Sequence, residues 1–443
     1  MNSTRLGYFA VLALLVSVIS PLAARADDSW PQWRGPGGQG IASASGLPAE
    51  WSESKNVTWR AAVPGRGWSS PVVANGEVWM TTAIDRPATK EEIKERLKNN
   101  TGSQPLNVAA EVSLRAVCID LKTGKLLHDV EVLNQKNPQW IHALNSYASP
   151  TPVLAGDRLY CHFGDYGTAC LDTSTAKVLW TNRETRVMHE NGPGSSPVLW
   201  KNRLIFHCDG SDVQYVAALD TTTGKLAWKT KRSGKMNANP QLKKSYSTPL
   251  IAKLNGRDQL ISPGADWLYS YDPATGKELW KLKYGFLGVS IVPRPLVSDD
   301  TIYLCTSYMK SQLLAVRFEA GSRKPYIAWR ATRQVPSRPS PLLVDGRIYL
   351  ISDRGVATCL NAKTGAQIWQ ERVSGNYSAS PTYADGKIFL HSQEGKTTVI
   401  APGDRLKVLA TNTLDGRLMA SAAVVDGALL LRTDKALYRI EAK

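Results

Sequence analysis

Four features of this 443-residue sequence are of types that do chemistry: six cysteines, six histidines, a glycine-rich hexapeptide, and arginines and aromatics placed at or just ahead of Pro-containing segments. His and Cys bind metals when clustered at spacings such as H-E-x-x-H. No such cluster occurs, because His162, His207 and His391 end equivalent segments (Leu-Tyr-Cys-His, Leu-Ile-Phe-His, Ile-Phe-Leu-His) far apart in the chain. No metal site is expected. Cys118, Cys170 and Cys359 recur at a position held elsewhere by Ala218, Ser270 and Ala315, a slot in which Cys acts as a small hydrophobe. If the hairpin between Cys161 and Cys170 turns symmetrically about Asp165-Tyr166, the two face each other at about 5 Å, within reach of a disulfide; free buried thiols are the simpler reading. Gly35-Pro-Gly37-Gly-Gln-Gly40 matches G-x-G-x-x-G. That fingerprint works only between a strand and a helix N-terminus, whereas Trp30-Pro31-Gln32-Trp33-Arg34 precedes it and Ser/Gly/Pro-rich sequence follows, as in a turn-rich strap.

The remaining candidates are Trp68, Tyr147, Tyr246, Arg294, Arg338 and Tyr377, with Asn145, His189, Glu190, Asn191 and Asn239 a few residues upstream of such segments. Aromatics and arginines converging on one rim would recognise a peptide or an anionic group; equally, they would fill a wide channel. No catalytic group is identified. Whether the six converge depends on the elements that carry them.

Those elements repeat. A Ser/Thr-Pro-apolar signature stands at Ser70, Thr151, Ser196, Thr248, Ser340 and Ser380, with a variant at Arg294-Pro295. Each opens a unit of roughly 40 to 52 residues, the period of a four-stranded propeller blade. A later turn has Asp or Asn bonding its own backbone and Gly supplying positive φ: Asp120 to Gly124, Asp220 to Gly224, Asp272 to Gly276 and Asn361 to Gly365, with Asp172 to Ala176 degraded. Then comes a strand carrying Trp59, Trp180, Trp228, Trp280, Trp329 or Trp369, a ring position suited to packing between blades. An eighth unit near Met419 offers three strands, Ala420 to Val425, Ala428 to Arg432 and Ala436 to Ile440; Asn56 to Arg60 matches a fourth strand without a blade of its own. The expectation is an all-β, eight-bladed propeller of four-stranded antiparallel blades, closed by that N-terminal strand. Within blade 1, residues 85–111 are inserted, and Thr89-Lys-Glu-Glu92 is a capping box for a short helix to about Lys98 beside the funnel mouth.

Units with Asp-x-x-Thr-Gly-Lys followed by a Trp-ended strand resemble the pyrroloquinoline-quinone-type propeller repeat over nearly all of the chain. One branch of that superfamily implies a quinone-dependent alcohol or sugar dehydrogenase with pyrroloquinoline quinone and calcium in its funnel, where Arg294 or Arg338 would pair with cofactor carboxylates. The other, similar to the outer-membrane assembly lipoprotein B, implies a cofactor-free periplasmic scaffold for a partner protein. The adjacent Cys-Cys pair of many dehydrogenases is missing, which favours a non-catalytic, cofactor-free scaffold.

Composition sets the remaining bounds. Fourteen Trp and sixteen Tyr against six Phe, with 34 Gly and 25 Pro, suit many short strands separated by turns. Arg5, the apolar run Tyr8 to Ile19, Pro21 and Ala24-Arg25-Ala26 read as a signal peptide at 1–26, leaving a single propeller domain at 27–443. The apolar run is shorter than the roughly 20 residues of a membrane span. Asp27 rather than Cys follows the cleavage site, which argues for a periplasmic or secreted chain rather than a lipoprotein. Losing Arg5 and Arg25 takes two from the formal +16 and leaves +14, which favours a protein or an anionic envelope component as partner. The positive charges are scattered rather than set in a stripe, so nucleic acid is not expected. A monomer is.

Overall fold

The structure, a computed structural model, describes residues 29–442 except 101, 286–287 and 323; the expected signal peptide lies outside the described residues. Within them the repeats pair as eight four-stranded antiparallel sheets. Blade 6 shows the unit: Leu342–Val344, Arg347–Ile351, Val356–Asn361 and Gln367–Arg372 lie side by side in chain order. Its second strand is buried beyond Arg347, whereas its fourth is mostly half-buried or exposed. First strands therefore line the centre and fourth strands the rim of a β-propeller. In blade 8, Ala423–Val425, Ala428–Arg432 and Ala436–Ile440 take Val57–Ala62 as their fourth strand, antiparallel to Ala436–Ile440. The ring closes as the sequence implies.

The Ser/Thr of each first-strand signature has a structural reason. The backbone N–H of Ser70 donates to Thr151 Oγ1 (2.9 Å), Thr151 to Ser196 Oγ (2.9 Å), and Ser196 to Thr248 Oγ1 (3.0 Å). Across the ring, Arg294 donates to Ser340 Oγ (3.0 Å), Ser340 to Ser380 Oγ (2.9 Å) and Ser380 to Ser421 Oγ (3.0 Å). A buried N–H that the sheet does not use is thus satisfied by the next blade's hydroxyl. Where Arg294 replaces the hydroxyl, its Nε–H reaches back to the Pro249 carbonyl of blade 4 at 3.1 Å.

At the rim the tryptophans lock neighbouring blades. A Cβ on Gly124, Gly224, Gly276 or Gly365 would lie 2.4–2.7 Å from the ring of Trp59, Trp180, Trp228 or Trp329 of the preceding blade. Indole N–H groups of Trp59, Trp180 and Trp228 donate to the carbonyls of Leu121, Thr221 and Pro273 in those same turns (3.0, 3.0 and 3.2 Å). The degraded turn keeps the geometry with Ala176 at φ 56°. Its preceding blade carries His128, not Trp, opposite Cys118.

The inserted segment prolongs a hairpin before it departs: the second and third strands of blade 1 run Glu77–Pro87 and Ala109–Asp120. Between them the helix Lys90–Leu97 has both halves of its capping box in place, and Leu106–Asn107 pairs with Ile141–His142. The hairpin between Cys161 and Cys170 does not turn symmetrically about Asp165-Tyr166, and the simpler reading of free thiols holds. Phe163 N–H donates to the Gly167 carbonyl (2.9 Å) around a single-turn 3-10 segment, Gly164–Tyr166, so the hairpin centres on Asp165 alone. Cys161 then faces Ala169, and Cys170 faces Tyr160. That one-residue shift puts the two thiols on opposite faces of the sheet, and all six cysteines are buried and free.

Candidate functional site

Links from fourth to first strands and loops between second and third strands meet at one end of the ring around a cavity of about 1090 Å³. Its inner wall carries Ser70 and the stitched hydroxyls Thr151, Ser196, Thr248, Ser380 and Ser421. Below them the channel is filled by the N-terminal strap. Trp30 exchanges backbone bonds with Val73 of blade 1, Pro31 accepts from Leu154 of blade 2, and Gly40 and Ala42 bond Tyr383 of blade 7. These anchors lie further along the first strands than the hydroxyls do. The strap's Trp33 therefore ends the cavity.

Two buried arginines hold the strap. Arg34 donates to the carbonyls of Gln39, Pro341 and Pro381 (2.7, 2.8 and 3.4 Å), and Arg294 to those of Trp33 and Gly38 (2.9 and 3.2 Å). Burial pulls each guanidinium down to about 9, which still leaves both charged at neutral pH. A Cβ at Gly38 would sit 2.1 Å from Arg294 Nη1, and one at Gly40 2.8 Å from Arg34 Nη2. The glycine hexapeptide is needed so that backbone and guanidinium can approach, not to cradle a phosphate.

The six sequence candidates do not gather. Trp68, Tyr246 and Arg338 line the cavity. Trp68 Nε1–H donates to the Leu144 carbonyl (3.0 Å), and Tyr246 Oη donates to the His189 carbonyl (2.6 Å) while accepting from Asn191 (3.1 Å). Arg338 binds Asp353 at 2.6 Å. By contrast, Tyr147 is buried beside Tyr166 with ring centroids 5.8 Å apart. Tyr377 is buried with its hydroxyl on the Ser374 carbonyl, and Arg294 faces the strap. These three fill space or hold backbone. Upstream, Asn145 and Asn191 line the cavity; Glu190 binds Lys244 at 2.6 Å, the buried His189 accepts from Asp165 N–H at 2.9 Å, and Asn239 caps the short turn Pro240–Leu242.

Trp33 of the strap also lines the cavity, as do Lys244, Arg354, Gln104, His142, Tyr308 and Met309, which no sequence motif marks. Tyr308 and Met309 are 64% and 58% exposed and pair with 288–289 in a two-stranded ribbon at the mouth. They lie between the second and third strands of blade 5, the same loop class as the inserted helix. That correspondence was the available signal.

One pair mimics a nucleophile and its base: Ser262 Oγ lies 2.7 Å from His207 Nε2. Both are buried outside the cavity lining, Arg232 donates to the same oxygen (2.6 Å), and Arg232 also binds buried Asp209 at 2.6 Å. With the Arg232 cation beside it and burial pushing His207 well below its ordinary range, the cluster ties blade 3 to blade 4. Nor does the cavity fit a quinone held with calcium. Calcium takes six to eight oxygens, several from carboxylates, and the lining supplies the single carboxylate Asp353, already engaged by Arg338 and by Ser337 N–H. No group of His, Cys, Asp and Glu suited to a metal occurs among the described residues.

Residues 40–191, 214–340 and 326–419 match the family described as outer membrane protein assembly factor BamB. The chain belongs to this family. The BamB of Yersinia pestis is 23% identical over 219 residues, 45% of this chain; the match spans about half, 52%, of that relative's length. Quinohemoprotein alcohol dehydrogenase ADH IIB of Pseudomonas putida is 27% identical over 294 residues, 58% of this chain and 40% of its own. Among solved structures, BamB from Moraxella catarrhalis superposes with a TM-score of 0.56 at 13% identity, covering 87% of this chain and 99% of that one. That likeness shows the fold, and the family match is what separates this chain from propellers in general.

Proposed function

We propose that this member of the BamB-described family is an exported, non-catalytic scaffold of the cell envelope that holds a protein partner at its funnel mouth. It acts in the periplasm or outside the cell, as a monomer without a lipid anchor. One observation carries the reading: exposed apolar side chains, Tyr308, Met309 and Leu144, ring a blind cavity, and the Ser–His pair noted above lies outside its lining. Such an apolar, adaptable rim suits a polypeptide surface. The likeness to an alcohol dehydrogenase supports the competing enzyme reading, against which the donor set of the cavity argues.

A photo-cross-linking amino acid placed at Met309 or Leu144, and at the outer-strand control Leu409, tests this in cells, with mass spectrometry naming what is joined. Reproducible joining to one envelope protein from the funnel positions, and not from Leu409, is the expected result. Equal labelling from all three positions overturns it. So does reduction of a dye by alcohols or sugars after the purified chain is reconstituted with pyrroloquinoline quinone and calcium.

A further inference from the structure

The chemistry around the cavity describes the partner's docking segment more closely, an inference that rests on the funnel being the docking face. Lys244, Arg338 and Arg354 line the cavity against the single carboxylate Asp353. Lys244 is matched by Glu190 and Arg338 by Asp353, but Arg354 has no carboxylate within ion-pairing distance among the described residues. Neither do Lys243, Lys310 and Arg333, which adjoin the lining residues Leu242, Met309 and Gln334. The unmatched cations thus collect on one side, from the link into blade 4 round to blade 6. Behind Trp33, the buried guanidiniums of Arg34 and Arg294 donate to carbonyls and meet no carboxylate among the described residues, so no opposite charge cancels their positive field locally. Low-dielectric walls focus such a field into the cleft.

The inner wall has the same preference. The hydroxyl oxygens of Thr151, Ser196, Thr248, Ser380 and Ser421 each accept a backbone N–H from the preceding blade. Their own protons have no protein acceptor among the described residues. What they offer the cavity is a set of O–H donors, which favours carboxylate or carbonyl oxygen over further donors. At the mouth stand Tyr308, Met309 and Leu144, the last 39% exposed. An anionic polysaccharide would use the cations and hydroxyls but gain little from Met309 and Leu144.

We infer that the funnel takes an acidic polypeptide segment, its carboxylates on the blade 4 to blade 6 cations and the hydroxyl ring, its apolar side chains on Tyr308, Met309 and Leu144. A labelled peptide alternating Glu with Leu, its Gln-for-Glu counterpart and dextran sulfate are the probes, read by fluorescence anisotropy and competition with the full mature chain at about 50 and about 500 mM NaCl. The acidic peptide should bind about tenfold more tightly than the Gln peptide at low salt and lose most of that margin at high salt. Lys310→Glu with Arg354→Glu should weaken it about tenfold, and Tyr308→Ser with Met309→Ser by a similar factor, at unchanged melting temperature because all four side chains are exposed.

Equal binding of the two peptides overturns the inference, as does absence of peptide binding. Dextran sulfate binding that outcompetes the peptide and ignores the Tyr308 and Met309 substitutions also overturns it, in favour of a polysaccharide. Failure here is separable from failure of the docking face. If Met309 still cross-links one envelope protein when Lys310 and Arg354 are reversed, the acidic segment falls and the docking face stands.

Discussion

His162 and His391 sit at the same point of blades 2 and 7, each with Nδ1 2.9 Å from a threonine hydroxyl across the hairpin, Thr168 and Thr397. Burial drags both imidazoles down to about 3. His189 falls to about 4 for the same reason. In the unfolded chain these groups regain a pKa near 6.5, so the unfolded state binds the additional protons. Their stabilising contribution is complete above about pH 6.5 and is lost as pH falls towards 3. At pH 5, His162 and His391 should each have cost about 2 kcal/mol relative to neutral pH. Urea unfolding at pH 7, 6 and 5 should show a steep fall in midpoint. His391→Asn should remove about one proton from the uptake on unfolding between pH 5 and 6. A midpoint that stays level from pH 7 to 5 would contradict the burial of neutral imidazoles. The shared position of these histidines was legible in the repeat; their threonine partners, six residues on across the turn, were legible only once the hairpin register was known.

At the scale of elements, the rim lock explains a deviation that the repeat exposes and composition does not. Five blades present Trp to a turn whose Gly leaves no room for a Cβ, or to its equivalent: Trp59, Trp180, Trp228, Trp329 and Trp369, the last donating to the Gly403 carbonyl at 3.0 Å. Blade 1 presents His128, and the turn it meets by repeat equivalence carries Ala176 rather than Gly. His128 instead stacks on Trp79 with ring centroids 5.9 Å apart. His128→Trp should therefore overpack against the Ala176 methyl and cost about 1–3 kcal/mol. Ala176→Gly alone should be neutral or slightly stabilising, because at φ 56° the relief of Cβ strain offsets the added backbone entropy. Together they should recover most of the loss, a coupling that a double-mutant cycle in urea would read; simple additivity would mean that the two sites do not meet. Features of this kind were readable because each is local and copied round the ring. The strap was not. Its bonds join residues 30–42 to blades 1, 2, 5, 6 and 7, and no short-range pattern encodes partners that distant. The site suffered the same limit: whether Arg294, Tyr147 or Tyr377 points into the cavity or beneath it is fixed by the strap and by neighbouring blades.

For the molecule as a whole, the ring stands or falls on Val57–Ala62. This strand covers the edge of Ala436–Ile440, supplies Trp59 to the blade 1 turn, and sets Arg60 Nε 3.0 Å from Tyr438 Oη. A chain starting at Gly65 would leave an apolar edge strand with unpaired N–H and C=O groups, and such edges recruit other chains. It should associate on size-exclusion chromatography with light scattering, whereas the chain from Asp27 should elute as a monomer; a peptide covering 56–63 added in excess should suppress the association. Loss of the strap alone must be kept apart from loss of closure. A chain starting at Ser43 retains the closing strand but strips Arg294 of the Trp33 and Gly38 carbonyls, leaving a buried guanidinium short of acceptors at a cost of about 1–3 kcal/mol or more. It should stay monomeric and melt earlier, with Arg294→Met restoring part of the loss because the unsatisfied charge goes with the side chain. Were the chain from Gly65 to remain monomeric with an unchanged melting temperature, closure by the N-terminal strand would not be what holds the eight blades in a ring.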